Sequence, residues 1–242
     1  VEDNTLYAVM NNVISTFYIG DFSSKFNVNH FVLVSTDKAV KPSNYMGKSK
    51  LIAEMIINQL SKLSKTKFSI VRFGNVLNSS GSVLSIFNNQ IQEGGPLTVT
   101  DKKVSRYFMS IPEAAQLIIQ SSAISDQYRT FILEMGESYN IYELAKKIIQ
   151  INGFQLKTSS NDGIEIKIIG LQKGEKLHEE LTFNKNLLKK TKHPKIYATQ
   201  EVYFQFNLLN WMKEFEDLYE KNDLENFKNS IDNLVSNHNK IN

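Results

Sequence analysis

Residues 30–35 read His-Phe-Val-Leu-Val-Ser, an unbroken apolar and β-branched run with no polar alternation, and this run does most to limit the folds open to the chain. Such a run suits a strand buried on both faces, the kind found in parallel sheets covered by helices. The flanking sequence has the helical period instead. Upstream, Asn4 or Thr5 can cap a helix in which Leu6, Val9, Met10, Val13, Ile14 and Phe17 recur at helical spacing. Downstream, Ser43 or Asn44 opens a helix reaching about Leu63, and a second apolar strand runs from near Phe68 to Phe73. A helix from about Ser82 to Glu93 is stopped by Gly94-Gly95 and followed by a short strand at Leu97 to Val99. Ile111-Pro112-Glu113 starts another helix, with Pro in the first turn where its missing N–H costs nothing. Thr130 to Glu134 is a strand, Asn140 with Glu143 forms a capping-box-like start for a helix to Gln150, and Glu165 to Ile169 is a further strand. This alternation of strand and helix predicts an α/β fold with a parallel sheet and helices on both faces.

Beyond about Asn184 the texture changes. His193 to Tyr197 is one more candidate strand, and the chain then becomes rich in Asn, Lys and Glu. Trp211, Phe215 and Leu218 make one apolar helical stripe, and Leu224, Phe227, Ile231 and Leu234 make another. The expectation is a helical tail packed loosely on the main body, with a structural role. Several function classes drop out on composition. Against 28 Lys+Arg stand 25 Asp+Glu, spread without a basic block, which argues against a nucleic-acid binder. The absence of cysteine excludes disulfides, thiolate metal sites and a cysteine nucleophile, and four scattered histidines do not suggest a metal site. No apolar run approaches the roughly 18 to 20 residues of a membrane span.

The polar cluster directly after the buried run is the most informative segment. Ser35-Thr36-Asp37-Lys38 must emerge at the carboxyl end of the strand, where ligands bind in open α/β sheets. A hydroxyl, a carboxylate and an ammonium on neighbouring residues suit proton handling. Taken alone, the same residues also suit a solvated loop with a helix cap.

In their longer context these residues carry a resemblance. FVLVSTDKAVKPSNYMGKSKLIAE (31–54), VRFGNVLNSSGSVLSIFNNQI (71–91), GGPLTVTDKKVSRYFMSIPEAA (94–115) and GLQKGEKLHEEL (170–181) follow one another as in the extended short-chain dehydrogenase/reductases. More closely, the chain resembles the bacterial polysaccharide biosynthesis proteins that are nucleotide-sugar 4,6-dehydratases. The resemblance implies the carboxyl-terminal part of a longer enzyme. Its first strands and the Gly-rich NAD cradle would precede Val1, since Gly94-Gly95 follows a helix rather than a strand. Residues 1–135 would be a partial Rossmann-like catalytic domain with interleaved substrate-binding segments. Residues 136–200 would be a small α/β substrate-binding region and residues 201–242 the helical tail.

The implied chemistry converts UDP-N-acetylglucosamine to its 4-keto-6-deoxy product by C4 oxidation, loss of water across C5 and C6, and reduction at C6, with NAD as cofactor. By resemblance Lys38 is the base at C5, Asp37 the acid for the C6 hydroxyl, and Lys50 holds the nicotinamide ribose. Lys38 must be neutral to act, and the expectation is depression of its ammonium by burial and by Lys50. Thr36 and Ser35 are candidates to relay the C4 hydroxyl proton near the cofactor, and Ser35 equally suits a backbone-satisfying role. Met46, four residues before Lys50, takes the place of the usual Tyr, which points to the C5-retaining, Met-type, membrane-anchored group; Tyr45 points elsewhere around the helix. Asn75, Leu97, Thr98, Arg106 and Glu175 are the implied contacts to the UDP moiety. Arg106 is read as a diphosphate fork, with a surface salt bridge as its structural alternative. Gln172-Lys173 departs from the family's Arg-Pro at that place, which puts one phosphate contact in doubt. The remaining expectations are a homo-oligomer, a cytoplasmic location and no membrane contact by this segment. A C5-inverting dehydratase, a C4 epimerase and a non-catalytic nucleotide-sugar-binding fragment are the rival readings.

Overall fold

The computed structural model describes residues 5–77, 79, 81–124, 130–158 and 162–241. In chain order its elements begin with α1 (Thr5–Lys25), β1 (His30–Val34), α2 (Tyr45–Leu63) and β2 (Lys67–Arg72). Next come β3 (Asn75–Val76), α3 (Val83–Gln92), β4 (Leu97–Val99), β5 (Ser105–Arg106), β6 (Phe108–Met109) and α4 (Ile111–Ile124). β7 (Thr130–Leu133), β8 (Tyr139–Asn140), α5 (Ile141–Ile151) and β9 (Ile166–Ile168) follow. The chain ends with β10 (Leu188–Lys190), β11 (Ile196–Thr199), α6 (Leu208–Glu220) and α7 (Leu224–Asn239). The expected cap at Asn4 lies outside the described residues. Among these residues no helix is long and apolar enough to cross a membrane.

The chain divides into two compact units. The first comprises the described residues of Val1–Phe73, Gln116–Glu134 and Glu180–Asn242, and the second those of Gly74–Ala115 and Met135–Glu179. The helical tail therefore belongs with the sheet, while residues 135–179 join residues 74–115.

The first unit is built on a five-stranded sheet in the order β1-β2-β7-β11-β10. β1, β2 and β7 are parallel, as the alternating pattern predicts. β11 and β10 depart from that expectation and run antiparallel, because they enter as a hairpin rather than through a helical crossover. β1 differs as well. It is an edge strand of the described sheet, and Val34 is 45% exposed, so it is not covered on both faces. An apolar run reports burial in a sheet but not which neighbours supply it. α2 begins where one of its two candidate caps places it: the Asn44 side chain accepts from Gly47 N–H at 2.9 Å.

The tail is not loosely packed. Phe215, Phe227 and Ile231 are fully buried in the same core as Leu51, Met55 and Ile56 of α2, and the Phe215 and Phe227 rings stack at 4.4 Å. The two stripes were legible, but their burial depends on α2 offering a second apolar face. α7 also carries His238, 1% exposed, whose Nδ1 accepts from Phe204 N–H at 3.3 Å. Burial pushes this imidazole down from 6.5 to about 4, with the Arg72 charge lowering it further and the Glu54 and Glu201 carboxylates opposing. The unfolded chain takes up this proton near its ordinary pKa and the folded chain only near the lower value. Stability is therefore full above pH 6.5 and falls as pH drops from there towards 4, by at most about 1.4 kcal/mol per unit. Urea denaturation is expected to show about 2 kcal/mol lost to this group by about pH 5, a loss absent from His238→Gln.

The second unit has its own core of Phe87, Ile91, Leu97, Ile141, Ala145 and Ile149, formed by α3, β4 and α5. Three short ladders complete it: β3 with β6, β4 with β9, and β5 with β8. Most of these strands have two residues, too few for a readable period.

Candidate active site

In the first unit the backbone beyond β1 stays tied to β2. Ser35 N–H donates to Val71 O at 2.8 Å and Asp37 N–H to Phe73 O at 3.1 Å. A short 3-10 turn over Asp37–Ala39 follows, capped by Thr36. Asp37 is completely buried there. Its Oδ1 accepts from the Thr36 hydroxyl at 2.8 Å and from Lys38 Nζ at 2.9 Å, whereas its buried Oδ2 has no hydrogen-bond partner among the described residues. A buried carboxylate oxygen without a donor is costly, and such exceptions concentrate where chemistry is done. The structure thus places the three expected proton-handling groups in one hydrogen-bonded chain.

The first turn of α2 closes on this turn through Gly47. A Cβ at Gly47 would collide with the Lys38 carbonyl and touch Pro42, so only glycine lets the helix approach so closely. Met46 and Lys50 lie one helical turn apart on α2, both half-buried. Lys50 Nζ donates to Val34 O at 3.0 Å. Desolvation lowers the Lys50 pKa, with the Glu54 charge opposing. Lys38 is ion-paired with Asp37, its side chain 25% exposed. Tyr45 faces away from this site, as expected, donating to Asp232 Oδ2 on α7 at 3.3 Å.

Ser35 is where relay and structural roles part. Its hydroxyl is buried and donates to Glu54 Oε1 at 2.5 Å, so its proton is committed to that carboxylate.

The second unit contains a cavity of about 570 Å³. Asn75, Thr98, Arg106 and Glu175 line it together, as does the amino-terminal turn of α3 at Ser82 and Val83. That helix end turns its positive pole toward the space. Leu97 does not line it; alternate strand residues point to opposite faces, and Leu97 is fully buried in the core while Thr98 faces the cavity. Arg106 Nη2 donates to Glu175 Oε1 at 2.9 Å and Nη1 to the carbonyls of Ser105 and Leu177 at 2.8 and 3.2 Å. Glu175 also accepts from the Thr100 hydroxyl at 2.9 Å and from Gln172 N–H at 3.1 Å. Arg106 is ion-paired with Glu175, within a cavity rather than on an open surface. Gln172 lines this cavity too, and Lys173 is exposed.

Over residues 1–201 the sequence matches the model of a family described as polysaccharide biosynthesis protein. The chain belongs to that family. Among curated polysaccharide biosynthesis proteins it is 42% identical over 220 residues to the probable polysaccharide biosynthesis protein EpsC of Bacillus subtilis, covering 91% of this chain and 36% of that protein. It is also 42% identical over 231 residues to the capsular polysaccharide biosynthesis protein CapD of Staphylococcus aureus, covering 94% and 36%. The chain thus spans about a third of the length of these two relatives. Among solved structures, Pen from Bacillus thuringiensis matches with a TM-score of 0.73 and 33% identity over 82% of this chain and 61% of that one. More distant nucleotide-sugar epimerases and dehydratases share the Rossmann-like α/β fold.

For this member of the polysaccharide biosynthesis family, sequence reasoning missed a buried ionic cluster that reaches the turn after β1 through Ser35. Arg72 of β2 pairs with both Glu54 of α2 and Glu201 after β11, its closest contact to each carboxylate measuring 2.6 Å. A signal existed in the lone charges inside the apolar runs IAEMII and SIVRF, since charged residues are almost never fully buried unless paired.

Proposed function

We propose that this chain carries the catalytic turn and the nucleotide cavity of an NAD-dependent UDP-N-acetylglucosamine 4,6-dehydratase, C5-retaining and Met-type, acting in the cytoplasm for polysaccharide synthesis. The observation that carries the reading is the Thr36–Asp37–Lys38 chain with its bare, buried Asp37 Oδ2. Epimerisation at C4 needs a relay for one hydroxyl proton, whereas elimination also needs an acid and a base side by side.

When bound, NAD would supply the hydride chemistry, removal at C4 of the hexose and return at C6. Lys50 fits the ribose end of that cofactor, because its half-buried ammonium projects at the end of β1 with a backbone carbonyl as partner. The remaining work falls to the protein's own groups. Thr36 passes the C4 hydroxyl proton to Asp37 Oδ1, to which it is already bonded. Asp37, now protonated, hands that proton to the departing C6 hydroxyl and becomes a carboxylate again. Lys38 acts as the neutral amine, its ammonium proton having passed to solvent before the cycle begins; that amine takes the C5 proton and later returns it to C5. The proton released by oxidation is thereby consumed in the elimination. Met46 has no exchangeable proton and serves as a packing wall.

In the second unit the cavity is assigned to the nucleotide. Arg106 and the amino-terminal turn of α3 suit a diphosphate, and Asn75 and Thr98 offer polar contacts. In the full-length protein Arg106→Ala is expected to weaken UDP-sugar binding roughly tenfold to a hundredfold by calorimetry, the range of a charged hydrogen bond.

The reading is tested by incubating the full-length protein with UDP-N-acetylglucosamine and NAD in heavy water. The expected product is lighter by one water, apart from one deuterium at C5, with the C5 configuration kept by NMR. A product without water loss would make the protein an epimerase, and an inverted C5 would place it in the other dehydratase group.

A further inference from the structure

The cluster of Glu54, Arg72 and Glu201 has no place in the proposed chemistry, yet it lies directly beneath it. Arg72 donates from Nε to Glu54 Oε1 at 2.9 Å and from Nη2 to Glu54 Oε2 at 2.6 Å, a bidentate fork, and from Nη1 to Glu201 Oε2 at 2.6 Å. Glu201 Oε1 accepts from the Thr182 hydroxyl at 2.6 Å and Phe183 N–H at 2.9 Å. The Tyr203 hydroxyl, 3.2 Å from Arg72 Nη2, donates to Glu54 Oε2 at 3.1 Å. Glu54 and Arg72 are wholly buried. Two carboxylates and one guanidinium out of water are expensive, and an apolar replacement of such a set is often equally stable. Stability alone therefore does not account for it.

Its geometry indicates a purpose. The cluster ends on Ser35, whose hydroxyl donates to Glu54. Ser35 immediately precedes Thr36 and Asp37. The two carbonyls that fix the backbone on either side, those of Val71 and Phe73, flank Arg72 in sequence. The same stretch of β2 thus holds the turn by its main chain and, through Arg72 and Glu54, by the Ser35 side chain. Glu54 is also one helical turn beyond Lys50 on α2. The last member, Tyr203, lies beyond residue 201, where the match to the family ends.

We propose that Glu54, Arg72, Glu201 and Tyr203 are positioning residues that hold the Ser35–Asp37 turn in the geometry that elimination needs, and that the segment after residue 201 completes this support. The proposal rests on the reading of Asp37 as the elimination acid. A displacement of about 1 Å in a reacting group can cost up to a hundredfold in rate, so a support that removes such freedom is worth its desolvation.

The test uses the full-length enzyme with UDP-N-acetylglucosamine, well below its melting temperature, and compares Ser35→Ala, Tyr203→Phe, their double variant and Glu54→Gln, with Asp37→Asn as reference. Ser35→Ala is expected to lower kcat roughly tenfold and Tyr203→Phe severalfold, each leaving KM within about twofold. The double variant should be no slower than Ser35→Ala alone, because both cut one path. Amide exchange over Asp37–Val40 should quicken in each variant. Should Glu54→Gln fail to fold, the two single-hydroxyl deletions still decide the matter. If the losses multiply in the double variant, or if Ser35→Ala keeps wild-type kcat and exchange while Asp37→Asn is inactive, the positioning role is overturned and the reading of Asp37 stands. An active Asp37→Asn enzyme overturns both.

Discussion

In the full-length enzyme, Asp37→Asn is expected to turn over UDP-N-acetylglucosamine at least roughly a hundredfold more slowly than wild type while binding it almost as well, the size of a lost general acid. The substitution keeps shape and burial but removes the proton that leaves with the C6 hydroxyl. Thr36 and Lys38 both donate to Oδ1, an atom the amide can still present as an acceptor, so the turn itself should persist. Lys38→Ala should be comparably slow for a different reason. The two are separated by a single turnover: Asp37→Asn, which cannot take up the C4 proton from Thr36, is slow to form NADH, whereas Lys38→Ala still forms NADH but neither exchanges C5 with heavy water nor loses water. Near wild-type turnover in either variant would remove that residue from the mechanism.

The second large effect is on stability. Phe227→Ala is expected to cost about 3–5 kcal/mol in chemical denaturation, the range for an aromatic ring removed from a filled core. Phe227 is fully buried, its ring 4.4 Å from that of Phe215, which in turn stacks on Trp211 at 4.5 Å. Both helices of the tail and α2 contribute to one core, so the cavity has few ways to collapse. A loss below about 1 kcal/mol would mean that the tail packs as a separate layer.

What could be read from sequence was what is local. The caps at Asn44, Ser82 and Asn140 occur where side chain and period coincide, because a cap is decided within four residues. The Thr36–Asp37–Lys38 chain was legible for the same reason. What failed required distant partners. β1 reads as a fully covered strand, yet its faces are covered only by helices packed from elsewhere in the chain, and Val34 stays 45% exposed. Leu97 and Thr98 were grouped together, although the pleat sends one into core and the other toward the cavity. Glu54 and Glu201 meet at Arg72 from positions 18 and 129 residues away, a distance that no pattern along the chain records.

The interleaving of the two units has a consequence for engineering. The chain passes from one to the other after Phe73, Ala115, Glu134 and Glu179, so no single cut releases the cavity-bearing unit. Its core draws on both inserted stretches, with Phe87 and Leu97 from the first and Ile141 and Ile149 from the second. A chimera meant to exchange the cavity must therefore carry residues 74–115 and 135–179 together, and transplanting either alone would expose half of a hydrophobic interior.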